Sequence, residues 1–320
     1  MTEYKDVYIV PQYSSVTSRS QVNTACVLDP AHHKNIIDVP VISANMDTVT
    51  NGSMALAMAD AGGIGAIHRF LSIGDAVEEY TKVQGRPCFV SIGVAGDARE
   101  RFHELHTAGA KHFIIDIAHG HHHLMKSILG HLRSNYGDEP YIVAGNVATD
   151  EGAAALVAWG ANAVKVGIGP GAACTTKNVT GVTVPQVTAI ENVVRGIKEL
   201  NRPDIRIIAD GGVREIGDIA KALGLGAHLV MSGRMFASCP EAPHPGLYRG
   251  MASADAMREI RSGDELPTPE GKTMAMPVGQ HVAEVVQQIR GGLQSAFSYS
   301  NALTLDEFRE NCKIGYRNGR

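Results

Sequence analysis

The sequence predicts an α/β protein built as a (β/α)8 TIM barrel, and three observations carry that expectation. Short apolar runs recur along the chain, each is followed by a polar or glycine-bearing turn, and each turn leads into a stretch of helical periodicity. Runs that are apolar throughout read as parallel strands buried on both faces. Eight such units in about 200 residues suit a closed barrel. A doubly wound open sheet is the alternative, but no reversal signal interrupts the series.

The strands are expected at 39–44, 64–68, 88–92, 112–117, 141–144, 163–166, 205–209 and 228–231. Helix-like segments between them include 54–61, 98–108, 149–159, 185–200 and 214–223. Residues 1–320 are read as one barrel carrying a flap at about 248–277, after the eighth unit. That stretch is rich in Gly, Pro and charge, is too long for an ordinary connection, and suits a lid.

Composition narrows the partners. The 320 residues are 44% hydrophobic and 19% charged, so the chain can bury a large core. Formal net charge is −4 with no long basic or acidic block, which argues against nucleic acid and anionic membrane as partners. The five cysteines form an odd set with no CxxC spacing, which fits a reducing compartment and not a disulfide framework or zinc ribbon. The segment MTEYKDVYIV lacks the basic region and apolar core of a signal peptide, and no apolar run is long enough to cross a bilayer. The expected location is cytoplasmic.

In a barrel the chemistry gathers at the C-terminal ends of the strands. Those ends carry Asn45, Met46 and Asp47, then His68 and Arg69, Asp116 and His119, and Asn146. The sixth unit ends in Gly167-Ile-Gly169-Pro-Gly171-Ala-Ala-Cys174-Thr-Thr176-Lys177. A glycine-rich loop leaves backbone N–H groups free to face an anion and lets a ligand approach closely. A thiol at its end, among hydroxyls and a lysine, is placed as a nucleophile would be. An isolated free cysteine is more often a small buried hydrophobe; the surrounding strand ends favour the nucleophile. Asp210-Gly211-Gly212 and Ser232-Gly233-Arg234 close the seventh and eighth units, the usual phosphate position of this fold. Arg234 would add a charge-assisted contact there. Glu270-Gly271-Lys272 in the flap offers an acid or base over the site.

Two motifs fail on inspection. His119, His121, His122 and His123 include one i, i+4 pair but no HExxH, so a helix start with polar rings is the better reading. The glycines of 61–65 precede a strand instead of following one, which removes the dinucleotide-fingerprint reading.

These strand ends, in this order, resemble the IMP dehydrogenase/GMP reductase family. The matching segments are SANMDTVT (43–50), GGIGAIHRF (62–70), IDIAHGH (115–121), AGNVATDEGA (144–153), VKVGIGPGAACTTK (164–177), ADGGVREIGDIAKAL (209–223) and YRGMASADAM (248–257). The resemblance covers nearly the whole chain and implies a (β/α)8 barrel assembled as a homotetramer. Dehydrogenases of the family typically carry a regulatory domain inserted after the second unit; here Phe70 runs through one helix to Cys88. Their flap carries an Arg-Tyr pair that activates water, and this flap has none. The EGK ending, Thr180-Gly-Val182 and Leu293-Gln-Ser-Ala-Phe-Ser-Tyr299 look reductase-like, whereas NVAT and VPQVTAI read like a dehydrogenase. The branch implied is GMP reductase: NADPH-dependent conversion of GMP, or a close guanine nucleotide such as dGMP, to IMP and ammonia. The alternatives are an IMP dehydrogenase lacking the insert and a non-catalytic purine-nucleotide-binding barrel.

The resemblance also implies roles. Cys174 would attack C2 of the purine, with Thr176 and Glu270 managing the proton that lets ammonia leave. Asp210 would hold the ribose hydroxyls. Met46, Asn146, Gly250, Met251 and Gly271 would contact the substrate, and Gly211, Gly212, Gly233 and Arg234 its 5′-phosphate end. Ser18, Arg19, Arg69, Asp116, Ile117, Ala118 and Ser295 match cofactor positions. Gly169, Gly171 and Cys174 match a monovalent-cation loop, so K+ is a further implied ligand. Three positions depart from the family: Ala172 replaces a phosphate-binding serine, Arg234 stands where Gly or Ser is common, and Leu266-Pro267 replaces a Tyr-Arg pair. The third leaves NADPH against NADH open.

Overall fold

The computed structural model describes residues 1–30, 34–260 and 267–317. Eight parallel strands close a barrel: β1 (Val41–Ser43), β2 (Ile64–Ile67), β3 (Cys88–Ile92), β4 (His112–Asp116), β5 (Tyr141–Val147), β6 (Ala163–Val166), β7 (Arg206–Asp210) and β8 (Leu229–Ser232). Closure comes from β8 pairing parallel with β1, Val230 opposite Val41 and Ser232 opposite Ser43. Helices α1 (Gly52–Asp60), α2 (Ile73–Thr81), α3 (Ala98–Thr107), α4 (His123–Tyr136), α5 (Asp150–Ala158), α6 (Gln186–Glu199), α7 (Ile216–Gly224) and α8 (Val282–Tyr299) alternate with the strands. The expected fold class is therefore the observed one.

Local sequence starts these helices where it should. Asn51, Ser72 and Thr149 cap α1, α2 and α5 by accepting backbone N–H bonds from Met54, Asp75 and Gly152. The histidine run opens α4: His122 is its N-cap, and its Nδ1 accepts from the Leu124 N–H at 3.2 Å. Apolar strand residues fill the space between barrel and helices, with the ring of Phe102 of α3 tilted against that of Phe113 of β4, centroids 4.2 Å apart. An antiparallel hairpin, Cys26–Asp29 with Lys34–Ile37, lies against the strand N-termini, where Arg206 Nε donates to the Val27 carbonyl. The strand Val7–Val10 pairs antiparallel with Lys313–Tyr316.

Two differences from the sequence reading bear on the site. Strand β5 runs to Val147, past the expected end at 144, because its pairing with β6 continues through a register shift between Gly145 and Val147. The shifted residue is Asn146, and such irregularities re-aim side chains next to sites. The flap, expected as an irregular lid, contains a two-stranded ribbon, Leu247–Arg249 with Thr273–Ala275, and a helix, Ala254–Ile260. These elements are too short to show a period, and backbone bonds to the cysteine loop stabilise them. Residues 261–266, including Leu266 of the third departure, lie outside the described residues.

Candidate active site

The C-terminal ends of the strands surround a cavity of about 510 Å³. Its wall includes Met46 after β1, Arg69 after β2, Asp116, Ile117 and Ala118 at the end of β4, and Asn146 of β5. The loop after β6 supplies Gly169, Gly171, Cys174 and Thr176, and Asp210, Gly211 and Gly233 come from the ends of β7 and β8. The flap supplies Tyr248, Gly250, Met251 and Glu270. A shallower depression of about 620 Å³ lies outside the barrel near Arg195 and Cys312 and contains none of the residues implicated above.

The cysteine loop is held by the flap. The Cys174 N–H donates to the Gly171 carbonyl at 3.0 Å, a tight turn ending in the short helix Thr176–Val179. The thiol donates to the Thr176 hydroxyl at 3.2 Å. The Thr175 N–H donates to the Glu270 carbonyl at 2.8 Å, and the Lys272 N–H to the Ala173 carbonyl at 2.9 Å. Glu270 and Cys174 thus reach one cavity through a backbone seam. Glycine is required where the chains cross: a Cβ on Gly250 would lie 2.8 Å from the Ala173 oxygen, and one on Gly271 2.9 Å from the Ser253 nitrogen.

Cys26, Cys88 and Cys239 are buried, whereas Cys174 and Cys312 are half-buried. Cys26 and Cys312 are pushed up to about 11, and Cys88 and Cys239 to about 12, in each case chiefly by burial, which keeps those thiols protonated and inert. Cys174 is half-buried and open to the cavity.

A charged cluster forms the floor. The Asn146 Nδ2 donates to Asp210 Oδ2 at 2.9 Å and to the Gly167 carbonyl at 2.8 Å, while its Oδ1 is buried without a partner among the described residues. Lys165 of β6 places its Nζ 2.8 Å from Asp116 Oδ1 and 2.5 Å from Asp210 Oδ2. Burial alone would raise the Asp116 carboxyl, but Lys165, Arg69 and Asn45 outweigh it and hold it below the usual range. Burial keeps the Tyr248 phenol protonated well above its ordinary range, with the Asp210 charge adding to the effect. The Arg69 guanidinium lies 4.5 Å over the Phe70 ring, and its Nε is buried without a partner among the described residues.

The structure brings together most, not all, of the positions singled out in the sequence. Arg234 is exposed and lies outside the cavity lining that contains Gly233. Gly212 turns with φ +79° against Gln186 and Pro170, behind the lining. Gly271 is behind the lining as well, bridged to Cys174 and Ser253. Ser18, Arg19 and Ser295 lie outside this lining, and Arg19 Nη1 donates to Ser295 Oγ of α8 at 3.3 Å. Ala172 is half-buried against the core. Asp47, one of the polar groups expected at the strand ends, is ion-paired with Arg249 of the flap, and Arg249 also holds Glu259. Sequence reasoning missed Lys165, Tyr248 and Arg249. A lysine inside an apolar strand was the available signal for the first, since a buried amine demands counter-charges.

Fold and site together define a (β/α)8 barrel whose cysteine loop and carboxylate-bearing flap line one cavity. The family model for the IMP dehydrogenase / GMP reductase domain matches residues 1–318. The chain belongs to that family, whose members are oxidoreductases of purine metabolism. It is 32% identical to the inosine-5'-monophosphate dehydrogenase of Borreliella burgdorferi over 97% of this chain and 92% of that one. It is 43% identical to the enzyme of that name from Haemophilus influenzae, over 70% of this chain and 49% of the other. Among solved structures it is similar to a cysteine-to-alanine variant of GMP reductase from Trypanosoma brucei in complex with guanosine 5'-monophosphate, with a TM-score of 0.88 at 27% identity, covering 98% of this chain and 95% of that one. No helix among the described residues is long and apolar enough to cross a membrane.

Proposed function

We propose that this chain is a GMP reductase, converting GMP and NADPH to IMP, ammonium and NADP+ with uptake of two protons. The observation that carries this reading is Glu270 in the same cavity as the Cys174–Thr176 pair, on a flap segment that lacks the Arg-Tyr pair of the dehydrogenases. The Trypanosoma neighbour with its bound GMP supports it. The dehydrogenase names of the sequence relatives favour the second reading, oxidation of IMP.

In the proposed mechanism, C2 of guanine is a poor electrophile and its amine a poor leaving group, so a covalent route divides the barrier. Cys174 passes its proton through the Thr176 hydroxyl it already contacts to the Glu270 carboxylate, and its sulfur bonds to C2. Glu270 and Thr176 deliver the proton with which the amine leaves as ammonia. When bound, a reduced nicotinamide supplies the hydride that replaces the amino group at C2. The C–S bond then breaks, and the thiol is restored. Asp210, with Asn146, holds the ribose hydroxyls, and Gly211 and Gly233 face the phosphate end. The residues fit the cofactor: Arg69 has a buried Nε without a partner among the described residues, beside Asp116, and Ile117 and Ala118 continue that wall. A monovalent cation held at Gly169, Gly171 and Cys174 would brace the cysteine loop, and no step is routed through it.

The test is directional. Purified protein is incubated with GMP or dGMP plus NADPH or NADH, and separately with IMP plus NAD, while absorbance of the reduced cofactor and ammonia are followed. Oxidation of reduced cofactor with ammonia release is the expected result. Reduction of NAD with IMP and formation of XMP would overturn the assignment.

A further inference from the structure

Resting on the purine-nucleotide reading above, we infer that Lys165 is a positioning residue that joins the ribose-holding and cofactor-facing carboxylates, Asp210 and Asp116, into one unit, so that the two ends of the cavity bind cooperatively.

Lys165 is 2% exposed, and its single ammonium bonds both carboxylates across the barrel floor. The residue comes from β6, while Asp116 comes from β4 and Asp210 from β7. Gly145 of the intervening β5 is its register partner. A Cβ on Gly145 would fall 2.6 Å from the Lys165 Cβ, so the lysine's position depends on a glycine opposite it. The remaining contacts are organised around the same two acids. Asn146 donates to Asp210, and Asn45, itself bonded to Ser91, bonds Asp116.

Two carboxylates within reach of one nitrogen are close to each other. Without the ammonium they repel, and one of them takes up a proton at a higher pH than either does alone. Arg69 faces Asp116 from the β2 end and offsets part of that repulsion; the Tyr248 and Tyr4 phenols sense Asp210. Neither tyrosine supplies a positive charge, so Asp210 depends on Lys165. A lysine this buried, between two acids, keeps its proton: burial works against the charge, and Asp116 and Asp210 outweigh it. Lys165 therefore acts as a fixed cation and not as an acid or base.

The experiment compares the wild-type protein with Lys165→Met and Lys165→Arg. GMP affinity is read by calorimetry without cofactor, the Michaelis constants for GMP and NADPH by steady-state kinetics, and kcat/KM against pH. Lys165→Met is expected to weaken GMP binding and raise both Michaelis constants by about tenfold or more, and to move the acid limb of kcat/KM upward by about one pH unit. Lys165→Arg, which keeps the charge, is expected to restore the wild-type acid limb. A merely structural lysine would lower the melting temperature and leave the pH limb in place, and that result overturns the inference. If Lys165→Met does not fold, Asp116→Asn makes the same test from the other side. With Asp116 neutral, Lys165 turns wholly onto Asp210, and GMP binding without cofactor should weaken by about threefold or more. Unchanged GMP affinity there overturns the coupling. If the wild-type protein turns over IMP with NAD instead, the reductase reading fails, and the same comparisons made with IMP and NAD still decide the role of Lys165.

Discussion

Replacing Arg249 by methionine removes the ionic clasp between the flap and the barrel with little change in volume. The Arg249 side chain is 7% exposed, and it joins Asp47, 12% exposed, to Glu259, 65% exposed. Its Nε donates to Asp47 Oδ2 at 2.9 Å, and its Nη1 to Glu259 Oε1 at 2.9 Å. The two halves of this clasp are unequal. The Glu259 half is solvent-facing and contributes at most about 1 kcal/mol. The Asp47 half is buried, and removing the guanidinium leaves a carboxylate uncompensated, which costs about 3–5 kcal/mol. We take about 3 kcal/mol, the lower end, because Asp47 lies on a loop where water can reach it once the arginine is gone. At roughly 2 °C per kcal/mol for a chain of this size, the melting temperature should fall by about 6 °C. Activity should fall too, since the strand ending at Arg249 leads directly to Gly250 and Met251 in the cavity wall. Thermal denaturation and steady-state kinetics on one preparation provide the assay, with Glu259→Gln as the control that loses little. A melting temperature within about 1 °C of wild type together with unchanged kcat/KM would refute the clasp.

The other expectations concern chemistry and pH. Cys174→Ala should abolish turnover and leave GMP binding by calorimetry largely intact; retained turnover would end the covalent mechanism. Glu270→Gln should slow the full reaction by roughly 10²–10⁴ and spare hydride exchange between cofactor and IMP-bound enzyme, and equal loss in both assays would remove Glu270 from the proton transfer. Burial pushes His68 and His112 down to about 4. The unfolded chain takes up these protons below about pH 6.5 and the folded chain does not, so stability should fall as pH drops from about 6.5 to 4 and then level for these groups. The loss is on the order of 2 kcal/mol per histidine by pH 5, read as a lower urea midpoint than at pH 7.5; equal midpoints would show that the rings are protonated in the fold.

Much of the site was legible because its chemistry is local. Cys174 and Thr176 are two residues apart on a glycine loop, and the Asp210-Gly-Gly212 turn announces itself by composition. The barrel was legible for a related reason: strands buried on both faces leave unbroken apolar runs. The strand ends at Asn146 and Asp210 were placed by counting units alone. What the sequence hid were the partners of charged groups. Asp47 and Arg249 lie 202 positions apart, and no periodicity links them. Ser18, Arg19 and Ser295, matched to cofactor positions by the resemblance, lie outside the cavity lining, where Arg19 bonds Ser295 of α8. Arg234, read as a phosphate contact from its neighbour Gly233, is exposed outside the cavity lining.

The sequence by itself determined the (β/α)8 class, the positions of the eight strands to within a few residues, and the cysteine as the candidate nucleophile. Those features depend on hydrophobic period, turn chemistry and residues adjacent in the chain. Only the tertiary structure decided that Lys165 spans Asp116 and Asp210, that Arg249 clasps the flap to the loop after β1, and that Glu270 reaches the cavity of Cys174. Those contacts join strands and loops far apart along the chain. Their energy depends on the separation of charges in space and their removal from water, and neither quantity is written in the order of residues.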